Sequence, residues 1–293
     1  MLADRLGVVV QTLAFARQIG LNVDGQYTSY LPWSGDRVIT TLVVTEPGQI
    51  EALPFRFPLI GSVPYKGFFD SSMAEGEAAR FRRKGFDVCL VPVKAYSTLG
   101  FFDDPVSDPM LASSEGRLVE TLLHELVHST VFLKSEPNFN EGVASFIGQE
   151  ASIRFFASNP QQAAQRRQEV TDSRVLARFL LAYRAQIGEL YEQASSPEEA
   201  ALWRKEAEDG ARRRLRELPL PSYESEELSR TIALNDACLA LRGTYSEDVP
   251  LLEDVLNDLD EDLPEFIERL REAGTRKNPS ESFFTDQNSR LSQ

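Results

Sequence analysis

Positive charge is scarce in this chain of 293 residues: 31 lysines and arginines stand against 45 aspartates and glutamates, for a net charge of -14. Phosphate recognition needs clustered cations, so nucleic acid is excluded as a partner, and anionic membrane surfaces are disfavoured for the same reason. The one basic run, Arg212-Arg213-Arg214-Leu215-Arg216, sits amid acidic helix and reads as a solvated face. Long apolar runs are also missing, and none reaches the roughly 18 residues of a membrane span. Cysteine occurs twice, at Cys89 and Cys238. So far apart, each reads as a small buried apolar residue rather than a bridge or a nucleophile, with a single disulfide left open for an exported protein. No internal repeat occurs. The acidic stretch Asp254–Asp260 lacks the central glycine and final glutamate of a calcium loop and reads as solvated helix.

Histidine is the other rarity, and here scarcity is informative. The chain has two, and both fall in His124-Glu125-Leu126-Val127-His128. H-E-x-x-H places two imidazoles one helical turn apart with a carboxylate beside them, the arrangement that binds zinc and activates water. Residues Ser114 to Leu133 are expected to form one helix, with Ser113 or Ser114 as N-cap and Glu115 in the first turn. Leu118, Leu122 and Leu126, with Val119, Leu123 and Val127, supply apolar rows at helical spacing. His124 and His128 then face one way, and Glu125 points a little aside, within reach of a water proton.

A catalytic zinc needs a third protein ligand and an open position. No third histidine exists, which excludes an H-E-x-x-H-x-x-G-x-x-H site, so a downstream carboxylate is required. Glu141 is the best placed. The first helix is expected to run about 7–8 Å past His128, and a turn at Lys134–Pro137 reverses the chain. A second helix starting at Asn138 then brings Glu141 level with the histidines in an antiparallel hairpin. Glu136 and Glu150 compete for the role, and Asn138 with Glu141 could instead form a relative of the capping box.

The pairing of His124–His128 with Phe139-Asn140-Glu141 resembles the zincin metallopeptidases whose third ligand is glutamate. More narrowly, the chain resembles a bacterial family of predicted aminopeptidases. The resemblance is carried by Gly61–Phe69, by Ala95–Val106 with Tyr96 and Gly100, by the helix pair, and by Asn235-Asp236-Ala237-Cys238-Leu239 with Tyr245 beyond. It spans about Arg5 to Gly274. Two departures stand out: the family usually has two asparagines where this chain has Asn235-Asp236, and it usually carries an N-terminal export segment. The run Leu6–Leu13 with Ala14-Phe15-Ala16 mimics a leader, but Asp4, Gln11 and Arg17 fit an amphipathic helix better, so a truncated or leaderless chain is expected. The resemblance implies a periplasmic or lipoprotein-anchored location; otherwise the protein is cytoplasmic. The G-x-M-E-N segment with which well-studied zinc aminopeptidases grip a free amine is lacking.

The fold expected is α+β: residues 1–158 as a zincin-like core with a small mixed sheet and the helix pair, 159–274 as a mainly helical layer packed on it, and 275–293 as a disordered tail. Strands are expected at Gln26–Trp33, Arg37–Thr45, Ser62–Phe69 and Asp87–Thr98, the last demoted to an edge or bulged position by Pro92. Such an edge could bind an extended peptide by strand addition. A helix is expected at Ser72–Lys84 and a loop at Phe101–Ala112 bordering the cleft. After Ser158 come helices at Pro160–Gln193, Pro197–Leu218, Ser225–Arg242, Pro250–Asp260 and Pro264–Gly274. The function expected is peptide or protein hydrolysis with Zn²⁺ held by His124, His128 and Glu141 and Glu125 as general base. Tyr96 and Tyr245 are candidate oxyanion donors, or else partly buried tyrosines with hydrogen-bonded hydroxyls. Gly100 is a candidate substrate contact, and Asn235 could orient a ligand, bind substrate backbone or equally make a polar helix-packing contact. The rivals are a zinc-binding scaffold or regulator without peptidase activity, and an interaction module built on the acidic helical half.

Overall fold

The computed structural model of the chain describes residues 2–57, 61–95, 103–134, 136–242 and 249–285. In chain order the elements begin with α1 (Leu2–Gln18), β1 (Tyr30–Leu31), β2 (Ile39–Thr45), β3 (Phe55–Phe57), β4 (Gly61–Val63) and β5 (Lys66–Phe68). Next come α2 (Ser71–Arg82), β6 (Asp87–Val93), β7 (Val106–Ser107), α3 (Asp108–Leu111), α4 (Glu115–Thr130) and α5 (Pro137–Phe155). The rest is helical: α6 (Pro160–Gln193), α7 (Pro197–Glu217), α8 (Ser225–Thr231), α9 (Asp236–Arg242), α10 (Val249–Asp258), α11 (Leu263–Gly274) and α12 (Pro279–Thr285). The class is α+β, mainly helical with small sheets. No helix among the described residues is long and apolar enough to cross a membrane. Two compact units alternate along the chain. The first is Met1–Val38, Lys94–Arg167 and Glu247–Gln293; the second is Ile39–Val93 and Gln168–Ser246. Neither coincides with a front or back half of the sequence.

The first unit is organised around α4 and α5. Both apolar rows of α4, Leu118/Leu122/Leu126 and Val119/Leu123/Val127, are fully buried, which explains why this segment is helical and where it sits. Helix α1 packs on it through Val9, Leu13 and Ala16, while α10 and α11 back α5. Phe139 and Phe146 of α5 meet Phe266 of α11 and Phe283 of α12 in tilted and edge-on pairs. That cluster orders Pro279–Thr285 of the expected disordered tail, while residues 286–293 lie outside the described residues. Phe283 is fully buried and its carbonyl accepts from Arg269, so α12 has both an apolar anchor and a polar one. Two further expectations give way. In Gln26–Trp33 only Tyr30–Leu31 is strand, paired in parallel with Val106–Ser107, because Tyr27 takes a left-handed φ of 56° that no strand tolerates. The expected loop Phe101–Ala112 contains β7 and α3: Pro109 fits a first helical turn, and Met110 and Leu111 are buried.

In the second unit β5, β2 and β6 form an antiparallel sheet in that order, so among the described residues β6 is an edge, one of the two positions that Pro92 allows. The expected strand Ser62–Phe69 is split into β4 and β5 at Pro64-Tyr65. Side chains alternate across β2. Leu42 and Val44 join Val88 of β6 and Ala78 of α2 on one face, and Val43 faces Ala237 of α9 on the other. Asp70 caps α2, and Gly85, at φ 85°, ends the turn that follows it. The expected single helix Ser225–Arg242 is two, α8 and α9, because Ile232 and Leu234 leave the helical path to fill the core between α6 and α7.

Cys89 and Cys238, expected to stay separate, form a disulfide. Cys89 pairs in register with Val43 in the sheet, and α9 crosses that same face, which brings the two Cα atoms to 5.0 Å. A separation of 149 residues leaves no local signal for this. Closing so long a loop should stabilise the fold by about 2–4 kcal/mol. Thermal melts with and without reductant check it: the reduced protein should melt several degrees lower, and coincident curves with two free thiols by mass spectrometry would show that the bridge does not form.

Candidate functional site

Helix α4 starts from Ser114, whose hydroxyl accepts from Arg117 N–H at 3.4 Å, and ends at Thr130, where Val131 turns extended. Its apolar rows are spent on the core, which leaves His124 and His128 together on the remaining side, ring centroids 4.9 Å apart and edge-on. Helix α5 packs back along α4, and Asn140 closes the hairpin. Its side-chain oxygen accepts from Leu133 N–H at 2.9 Å and its NH₂ donates to Leu133 O at 2.7 Å. Helix α5 begins at Pro137, one residue earlier than expected, and Glu136 ahead of it makes no side-chain cap. Asn138 is therefore not the N-cap, and Glu141 serves no capping box.

Glu141 instead faces the imidazoles. Its Oε2 lies 3.5 Å from His124 Nε2 and its Oε1 lies 3.7 Å from His128 Nε2, with 3.2 Å between the two Nε2 atoms. The three residues each offer a donor within 4.8 Å of the others, a group that can hold a metal ion. The competing carboxylates are elsewhere: Glu150 binds Arg154 at 2.7 Å, and Glu136 is outside the group.

Electrostatics divides the two glutamates. Burial pushes the Glu125 carboxyl up, and the charges of Glu141 and Asp104 add to this against the pull of both histidines. Burial works on Glu141 in the same sense, but hydrogen bonds and charge from His124 and His128 overcome it and hold its carboxyl at about 2. Burial alone would lower His124. Its bond to Glu141, with the charges of Glu125, Glu141 and Glu120, raises it overall.

Three contributors were not read from the sequence. Asn140 clamps the hairpin turn, Ser145 Oγ lies 3.4 Å from His124 Nδ1, and Gly148 lets α5 reach α4. A Cβ at Gly148 would stand 3.0 Å from the Glu120 carbonyl oxygen and 3.2 Å from both Cβ and N of His124. The available signal was the spacing Glu141, Ser145, Gly148, which puts two small residues on the glutamate's own helix face. Glu120 itself is tied to buried Arg166, which also donates to Ser152 of α5 at 2.9 Å. Of the other expected site residues, Tyr96, Gly100 and Tyr245 lie outside the described residues. Asn235 belongs to the second unit. Its carboxamide caps α9 by accepting from Cys238 N–H at 3.0 Å and clasps β6 by donating to Val88 O at 2.9 Å. Both ends of that side chain are committed to structure.

Gly148→Ala isolates the close approach. Alanine favours a helix by about 1 kcal/mol, but its methyl meets backbone atoms that cannot swing aside, and overpacking costs about 1–3 kcal/mol. A lower melting temperature and weaker divalent-metal uptake are expected. A variant as stable and as metal-avid as the wild type would mean that the helices do not need this contact.

No curated protein and no solved structure matches the chain. Residues 1–282 match the model of the family described as "Putative aminopeptidase". That match runs through both compact units and the whole α4–α5 hairpin, and the chain belongs to this aminopeptidase family.

Proposed function

We propose that this protein is a zinc-dependent peptide hydrolase of the zincin type, acting on peptides as its family name implies. The observation that carries the reading is the convergence of His124, His128 and Glu141 beside Glu125. Two imidazoles and one carboxylate on a rigid helix pair are the donor set of a catalytic zinc site, which keeps a position open, whereas structural sites close all four with thiolates and imidazoles. The fit is chemical as well as spatial: Glu141 is held ionised at about 2, as a ligand must be. When bound, zinc supplies Lewis acidity, acidifying water and polarising the scissile carbonyl.

The chain's own residues do the rest. His124, His128 and Glu141 would hold the ion. Glu125, with its proton affinity raised by burial, takes a proton from the attacking water and delivers it to the departing amine as the C–N bond breaks. The oxyanion of the tetrahedral intermediate needs a further donor, and Tyr96 and Tyr245 remain the proposed sources. Gly100 stays proposed as a substrate contact. The Cys89–Cys238 bridge supports a location in an oxidising compartment outside the cytoplasm.

The test combines metal analysis with peptide cleavage on the same preparations. Wild-type protein should carry about one zinc per chain and cleave members of a peptide library, with free N-termini favoured if the family name describes the substrate. Glu125→Gln keeps the shape and the hydrogen bond to water but cannot take the proton. It should keep its zinc and its fold while activity falls by about 10²–10⁴. Full activity in Glu125→Gln, or a wild type that holds iron or no metal after reconstitution with zinc, would overturn the proposal. Zinc binding without cleavage of any peptide would favour a metal-holding scaffold.

A further inference from the structure

We infer that Ser145 is the positioning residue for His124, accepting the Nδ1–H and so favouring, in the metal-loaded protein, the tautomer whose Nε2 lone pair faces the space shared with His128 and Glu141. The inference rests on the zinc-site reading above and names a residue that the H-E-x-x-H motif does not contain.

A neutral imidazole carries its proton on one nitrogen. If Nε2 is to donate to a cation, the proton must reside on Nδ1, and where the ring is not held by packing an acceptor there orients it. The two nitrogens of His124 meet different walls of the hairpin. Nε2 lies 3.2 Å from His128 Nε2 and 3.5 Å from Glu141 Oε2, while Nδ1 lies 3.4 Å from Ser145 Oγ. That last separation is at the long end for an N–H···O bond. It aligns the ring, and a cation on Nε2 would make the Nδ1–H a stronger donor along the same line.

The placement follows from helix geometry. Glu141, Ser145 and Gly148 recur at i, i+4 and i+7 on α5, the stripe that faces α4. One end of the stripe reaches the Nε2 side of His124, the middle reaches Nδ1, and Gly148 passes against the His124 backbone. Metal donor, hydroxyl acceptor and close approach thus come from one face of one helix, and a shift of α5 would move them together. A hydroxyl suits the position because it is small and neutral; a third carboxylate here would add charge beside Glu125 and Glu141.

His128 provides the internal contrast. Its Nδ1 is buried and has no hydrogen-bond partner among the described residues. With a side chain only 6% exposed against 17% for His124, its ring is held by packing. His124, the more exposed of the two, is the one that needs a tether. Without Ser145 its ring is free to carry the proton on Nε2, where the proton competes with the metal.

A matched pair of variants isolates the hydroxyl. Threonine and valine have the same shape, so Ser145→Thr and Ser145→Val differ only in the group that can accept from Nδ1–H. Zinc affinity is measured by competition with a chelator of known strength, alongside the imidazole ¹H–¹⁵N spectrum of the zinc-loaded protein. With two histidines in the chain, the spectrum holds two Nδ1–H signals, and His128→Ala assigns them. Ser145→Val, and Ser145→Ala with it, should bind zinc about 10–100-fold more weakly than Ser145→Thr and wild type. Exchange of the His124 Nδ1–H with water should quicken in those variants alone, while metal-free melting temperatures stay together. Equal zinc affinity in the Thr and Val variants, or a His124 Nδ1–H equally protected in both, overturns the role of Ser145. A wild type that takes up no zinc overturns the metal reading itself, and this inference falls with it.

Discussion

Everything at the candidate site depends on how closely α5 can lie against α4. Glu141 stands opposite two histidines one helical turn apart where Gly148, two turns further along, passes the Glu120 carbonyl and the His124 backbone at distances too tight for a methyl group unless the backbone shifts. At the other end Asn140 grips both backbone groups of Leu133. A hairpin pinned at both ends has one register, and one register puts Glu141 level with both imidazoles. The apolar rows of α4 and the aromatic cluster behind α5 hold the pair in place. The donors therefore ride on rigid elements, which is what a site needing sub-ångström placement requires.

The same packing brings four ionisable groups into one half-buried space, and it does so without leaving them equivalent. Glu141 lies against both imidazoles and is held ionised; Glu125, lacking that pairing, is raised by burial and by its carboxylate neighbours. Two carboxylates pushed in opposite directions suit the division between a ligand and a base that the proposed function requires. In the second unit, buried polar groups are used for stitching. Asp236 accepts from Tyr191 at 2.5 Å and from Arg204 at 2.8 Å, so the α9 start is tied to α6 and α7, and the Asn235 carboxamide and the disulfide tie α9 to β6.

What could be read from the sequence follows the range of the forces involved. The histidine spacing, the helix around it and the return of Glu141 are local, set by 3.6-residue periodicity and a short turn, and these were legible. Pro92, which cannot donate to a second neighbour, narrowed β6 to an edge or a bulge, and the sheet order makes it an edge. The disulfide was not legible, since Cys89 and Cys238 meet only through the register of β2 with β6 and the path of α9. The α12 anchor was not legible either: Phe283 and Phe284 lie in a polar stretch without periodicity and find their partners on α5 and α11. For Asn235 the sequence left a substrate or ligand contact and a helix-packing contact equally open, and only the tertiary geometry shows its carboxamide capping α9 and clasping β6. Ser145 and Gly148 were visible as letters, yet their meaning depends on which face of α5 turns inward, a tertiary fact.

Zinc-edge X-ray absorption on metal-loaded wild type and Glu141→Gln tests the central claim most directly, since it reads the ligands themselves. The hairpin geometry predicts two imidazole nitrogens at about 2.0–2.1 Å and carboxylate oxygen at about 2.0–2.2 Å in the wild type, with the carboxylate contribution lost in Glu141→Gln. A single imidazole in the wild-type spectrum, sulfur scattering, or a Glu141→Gln spectrum identical to wild type would contradict a three-donor site built by α4 and α5.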